Sequence, residues 1–156
     1  MKRCLFFLFV FALLAAACEQ NPCKNVTCNH DGLCIDGTCS CVLGYEGSTC
    51  DEETRAKYAG NYKGVYTEDG IDYPESVIAI NPESVLIVRM KVGNITVDLI
   101  DPTHFEAFPQ QFSASGNTIN ITTATGSCDG VYLDYQIAFT VQGQQHTASF
   151  LGVRTL

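Results

Sequence analysis

Val131-Tyr132-Leu133-Asp134-Tyr135-Gln136-Ile137-Ala138-Phe139-Thr140-Val141 decides the fold class. Every odd position carries a large apolar or aromatic side chain, and the even positions carry Tyr132, Asp134, Gln136, Ala138 and Thr140. Successive side chains of a strand point to opposite faces, so strict alternation describes a strand with one buried and one wet face. That is the habit of antiparallel sheet.

The same period spreads outward from this run. Ile95, Val97 and Leu99 alternate with Thr96 and Asp98, and Ile119 and Ile121 with Asn120 and Thr122. Further strands are predicted at Asn61–Tyr66, Ser76–Ile80, Val85–Val92, Thr103–Phe108 and His146–Val153. Turn chemistry separates them, in Glu68-Asp69-Gly70, Asn81-Pro82-Glu83, Gly93-Asn94, Asp101-Pro102, Ser115-Gly116-Asn117, Asp129-Gly130 and Gln142-Gly143. About eight strands at this spacing read as an antiparallel β-barrel, with a β-sandwich as the alternative. No amphipathic helix is at hand to cover an open sheet, apart from a short stretch near Thr54–Tyr58. Closure removes exposed edges, so the barrel is preferred.

An eight-stranded barrel either holds one small ligand or is filled by its own side chains. Tyr62, Tyr66, Tyr135, Phe139 and Phe150 are the candidates to line a cavity or to fill the core. The opening Tyr58-Ala59-Gly60-Asn61-Tyr62-Lys63-Gly64 and the final long hairpin resemble the lipocalin-like β domains of Bacteroidetes-type lipoproteins. The resemblance covers residues 60–156 and implies a lipocalin-like barrel.

Upstream lies a cysteine block: Cys23, Cys28, Cys34, Cys39, Cys41 and Cys50, with gaps of four, five, four, one and eight residues. So short a segment cannot bury enough apolar surface to fold unaided. Disulfides replace the core there, each worth about 2–4 kcal/mol. Spacing alone leaves 15 pairings open. Zinc is the competing reading, disfavoured by irregular gaps and the lack of CxxC knuckles. The run Cys39-Ser40-Cys41-Val42-Leu43-Gly44-Tyr45-Glu46-Gly47-Ser48-Thr49-Cys50 resembles the end of an EGF-like module. The resemblance implies the pairs Cys23–Cys34, Cys28–Cys39 and Cys41–Cys50 and a small two-stranded hairpin. Gly44 and Gly47 suit tight turns with positive φ. Calcium-binding modules of that family carry acidic or amide residues just before the first cysteine. Here the stretch is Glu19-Gln20-Asn21-Pro22, and six to eight oxygens cannot be assembled around it.

The N-terminus reads as an export signal. Lys2 and Arg3 precede an apolar run from Leu5 to Ala17 that is too short to span a bilayer as a helix. Leu14-Ala15-Ala16-Ala17-Cys18 resembles a bacterial lipoprotein signal. It implies cleavage before Cys18, lipidation there, palmitate among the acyl chains, and attachment to the outer membrane or cell surface. The expected organisation is therefore a leader at 1–17, a lipidated tether at 18–22, an EGF-like module at 23–50, a linker at 51–59 with helical potential, and the barrel at 60–156.

With a net charge of −8 and 9 cysteines, the chain is a poor match for nucleic acid and for a reducing compartment. No catalytic constellation is visible. Glu68, Asp69, Asp72 and Glu75 cluster near one turn, but nothing sets two of them across a cleft as a glycosidase needs. Cys128 sits beside Asp129 with no neighbouring base. His30, His104 and His146 have no metal-ligand spacing. Asn25, Asn94 and Asn120 each begin an Asn-x-Thr triplet, an acceptor for glycans only in a eukaryotic secretory route. The expectation is a non-enzymatic surface protein without cofactor or metal. It binds or scaffolds a protein or glycan partner, with carriage of a small hydrophobic ligand as the alternative and hydrolysis as a remote one.

Overall fold

The computed structural model describes residues 21–82 and 86–156. The leader, the lipidation site Cys18 with Glu19 and Gln20 of the tether, and Val85, where one predicted strand begins, lie outside the described residues.

Thirteen strands are present among the described residues. Four short ones belong to the N-terminal module: β1 (Leu33–Ile35), β2 (Thr38–Ser40), β3 (Tyr45–Glu46) and β4 (Glu52–Glu53). The rest are β5 (Gly60–Glu68), β6 (Ile71–Asn81), β7 (Arg89–Val92), β8 (Ile95–Leu99), β9 (His104–Ala107), β10 (Gln110–Ala114), β11 (Asn117–Cys128), β12 (Tyr132–Val141) and β13 (Gln144–Arg154). Each pairs antiparallel with its neighbour in sequence except β9 and β10, which both pair with β11, and β13 returns to β5 from Ala148↔Glu68 to Arg154↔Tyr62. This closes an eight-stranded up-and-down barrel and not a sandwich, because β9 and β10 share one wall position against β11.

Pro109 separates β9 from β10 and has no N–H for a ladder. A side chain repairs the gap. The Gln110 carboxamide accepts from the Thr96 N–H at 2.8 Å and donates to the Thr96 carbonyl at 2.6 Å. It thus stands in for a peptide unit beside β8. Pro74 is tolerated within β6 for a related reason. β6 pairs with β7 only at Ile80–Asn81, and opposite Pro74 the β5 ladder slips at a bulge between Gly64 and Tyr66.

β6 begins at Ile71, five residues before the predicted Ser76. The β5–β6 turn is only Asp69-Gly70, both at positive φ (49° and 83°), which suits a type I′ hairpin. β10 was not anticipated, and β11 runs on to Cys128 through a segment with little apolar alternation.

The core fills the end where β5 starts. Tyr58, Tyr62, Met90, Phe105, Leu133 and Phe150 are buried there, each worth about 1.5–3 kcal/mol against leaving it exposed. Two buried phenols there are satisfied: Tyr62 donates to the Tyr58 carbonyl at 2.9 Å and Tyr58 to the Pro102 carbonyl, whereas the Thr54 hydroxyl is buried without a partner among the described residues.

In the N-terminal module the structure joins Cys23–Cys34, Cys28–Cys39 and Cys41–Cys50. Thr54–Tyr58 forms a 3-10 helix that ties this module to the barrel. The Thr54 N–H donates to the Gly44 carbonyl at 2.9 Å. The Arg55 guanidinium is buried and donates to the carbonyls of Leu86 (2.7 Å) and Arg89 (3.1 Å), and Lys57 pairs with Glu46 at 2.6 Å. Gly44 holds φ +101° with its Cα against Ile87, where a Cβ would sit 2.9 Å from that side chain. Segment 51–59 is therefore a packed joint.

Candidate functional site

At the barrel end opposite the joint, the interior is not filled. A cup of about 340 Å³ opens there. Its wall is Tyr66 of β5, Phe112 of β10, Ile119 and Ile121 of β11, and Ile137, Phe139 and Val141 of β12. Its rim carries Glu68, Ser115, Asn117 and His146.

Ladder lengths account for the cup. β7, β8 and β9 supply Met90, Val92, Ile95, Val97, Leu99 and Phe105 to the core at the joint end, yet none of their residues lines the cup. The wall there comes from the longer strands β5, β11, β12 and β13, together with β10. The extra residue of β11 at the bulge between Ile121 and Thr123 keeps Ile119 and Ile121 turned inward along with Ala124 and Cys128 beyond it, and Tyr66 follows Tyr62 and Gly64 in unbroken alternation on β5.

The rim is electrostatically one-sided. Tyr66 donates its hydroxyl to Glu68 Oε2 at 3.2 Å, and burial pushes the Tyr66 phenol above its ordinary range. His146 stacks on Phe139 with ring centroids 5.4 Å apart. Its Nδ1 lies 2.6 Å from Asp69 Oδ2. The Thr147 N–H donates to Asp69 Oδ1 at 2.9 Å, and this bond, with His146 second, holds the Asp69 carboxyl below the usual carboxylate range. Neither Lys nor Arg lines the cup.

The five sequence candidates thus divide. Tyr66 and Phe139 line the cup. Tyr62, Tyr135 and Phe150 belong to the packed core, where Tyr135 and Phe150 stack at 5.7 Å. Desolvation pushes the Tyr135 phenol up to about 12. Phe112, Ile119, Ile121, Ile137 and Val141 were not singled out as cup residues. Their inward alternation was visible, but nothing in a single strand marks where the opposite wall ends.

The remaining candidates stay apart. Asp72 accepts from Thr67 at 2.7 Å, and Glu75 pairs with Lys63, so the acidic cluster is spread over separate partners. His30 stacks on Tyr45 with centroids 3.9 Å apart, and His104 bonds Asp101 at 2.8 Å. Cys128 is buried beside the Tyr62 hydroxyl at 3.2 Å, and burial pushes its thiol up, away from nucleophilic use. Among the described residues, no group of three or more His, Cys, Asp or Glu is placed to hold a metal ion. Further hollows include one of about 380 Å³ by Thr67, Gln136 and Thr147, one of about 300 Å³ by His104, Thr125 and Asp134, and one of about 400 Å³ by Lys63, Pro74 and Val153.

No family model matches the chain, and no solved structure matches it. It is similar to fibropellin-3 of Strongylocentrotus purpuratus, at 25% identity over 154 residues, covering 93% of this chain and 27% of that protein. It is also similar to fibropellin-1 of the same organism, at 50% identity over 156 residues, covering 93% of this chain and 14% of that protein. The chain spans less than a third of the length of either relative. These similarities and the three disulfides fit an EGF-like module and an extracellular setting.

Proposed function

We propose that this is an exported, non-catalytic binding protein that takes a small, largely apolar molecule into the barrel cup, while the EGF-like module holds the barrel at a fixed attitude. The single observation that carries the reading is the unfilled apolar end of an otherwise well-packed barrel. A cavity of a few hundred Å³, mostly apolar with a few polar groups at its mouth, is the usual form of a small-molecule site. Lipid attachment at Cys18 belongs to the proposal, as does a bacterial outer-membrane or cell-surface location. Intact-mass analysis of membrane-extracted protein tests both.

The cup is tested with a neutral apolar fluorophore such as Nile red. Saturable binding at one site per chain is expected. The variant I119W, which places a larger side chain in the wall, is expected to weaken it at least tenfold with the melting temperature preserved. Absence of saturable binding, or equal binding to I119W, refutes the reading.

A second reading, adhesion or scaffolding against a protein or glycan partner, is favoured by one feature. β1 turns Leu33 and Ile35 outward, at 69% and 57% exposure, while Cys34 between them faces its disulfide. Exposed aliphatics on so small a module suit a contact surface.

A further inference from the structure

We infer that the cup discriminates by head group: it accepts amphiphiles whose polar end is an ammonium or another hydrogen-bond donor, and it rejects those ending in a carboxylate. The inference rests on the cup being a ligand site.

Three features of the rim carry it. Glu68 is the carboxylate at the mouth, half-buried, and no cation pairs with it among the described residues. Tyr66 donates to its Oε2, which fixes the carboxylate over the apolar wall. The imidazole of His146, the one rim group able to turn cationic, is already held by Asp69. Its charge, when present, is matched by that carboxylate, so it offers an incoming anion little net attraction.

The consequences differ sharply for the two ligand types. An ammonium entering behind an apolar body meets Glu68 with a charge-assisted hydrogen bond in a partly desolvated mouth, where such bonds are strongest. A carboxylate entering the same way loses water, meets no donor of opposite charge, and faces Glu68 and a chain of net charge −8. Tyr66 cannot easily turn to serve it, because its hydroxyl proton is committed to Glu68. The apolar body has an aromatic wall to lie on: Phe112, Phe139 and Tyr66 face the same space, and offset ring stacking adds to the burial. The class that fits is therefore a compact aromatic amine.

The protein contains no Trp, so indole emission from a ligand reports its binding directly. Three indoles with the same ring separate the terms: tryptamine, 3-methylindole and indole-3-propionate. Tryptamine is expected to bind at least tenfold tighter than indole-3-propionate, with 3-methylindole between them. In E68Q, whose amide oxygen can still accept from Tyr66, the tryptamine advantage over indole-3-propionate is expected to fall below threefold. Circular dichroism of E68Q confirms that the barrel is intact. Indole-3-propionate binding as tightly as tryptamine, or a ratio unmoved in E68Q, overturns the head-group inference and leaves the cup standing. Failure of all three indoles together with Nile red overturns the cup itself and the inference with it.

Discussion

Replacing Arg55 by Met tests whether the two modules form one body. Arg55 is only 9% exposed, and its guanidinium reaches the carbonyls of Leu86 and Arg89 at 2.7 and 3.1 Å. Met keeps most of the apolar stem and removes the donors. Each hydrogen bond from a charged group is worth roughly 1.5–3 kcal/mol, and some of the loss is recovered if water reaches the carbonyls. The pairing with Glu53 adds little, because that carboxylate side is 44% exposed. A net loss of about 3 kcal/mol follows. For a domain of about 100 residues this lowers the melting temperature by roughly 12–24 °C. K57M is the matched control: Lys57 also crosses the joint, to Glu46, but its side chain is 35% exposed, and such pairs are worth under ~1 kcal/mol. Thermal unfolding of oxidised protein, followed by far-ultraviolet circular dichroism, reads both variants. If R55M melts within about 3 °C of K57M, the joint is not held as described.

Two other outcomes are expected. The double variant C41S/C50S opens a loop of sequence separation 9 and removes about 3 kcal/mol of chain-entropy stabilisation. Limited proteolysis should then cut within 41–50 while the barrel stays intact, and an uncut module would contradict this. Asp101 accepts from the N–H groups of Thr103 (2.7 Å) and His104 (2.8 Å), the Thr103 bond being the main cause that takes its carboxyl from 3.8 to about 2. A carboxyl depressed by folding contributes stability above its unfolded value and loses it as pH falls through the folded one. Melting temperature should therefore drop between pH ~4 and ~2, and D101N should flatten part of that limb. Carboxyl titration by nuclear magnetic resonance checks the cause, and a midpoint near 3.8 for Asp101 would contradict it.

The barrel was legible where large side chains alternate, as along β12, and became illegible where packing demands small ones. In β11 the inward positions after the bulge are Ala124, Gly126 and Cys128. They carry no hydrophobic signal because their neighbours fill the space. A Cβ on Gly126 would lie 2.5 Å from the Phe105 ring and 2.6 Å from the Tyr135 Cβ. The strand is real, and its residues are small because Phe105 and Tyr135 are large. β10 was hidden for another reason. Its place in the wall depends on the Gln110 side chain acting as backbone toward Thr96, and no propensity records that substitution.

The cup escaped sequence reading for a reason that lies outside any one strand. Leu133 and Tyr135 belong to the filled end of β12 and Phe139 and Val141 to the open end, yet all four alternate identically in the sequence. What separates them is the wall across the barrel. β7 and β8 hold only four and five residues against the ten of β12, so they cover only the joint end, and the aromatic residues beyond them face space instead of side chains. Length mismatch between opposite walls is thus the physical origin of the site. The same mismatch puts the site as far as the barrel allows from the joint that fixes the EGF-like module. On the proposed reading, a ligand would enter and leave without disturbing the Arg55 contacts, because the cup and the joint lie at opposite ends of the barrel.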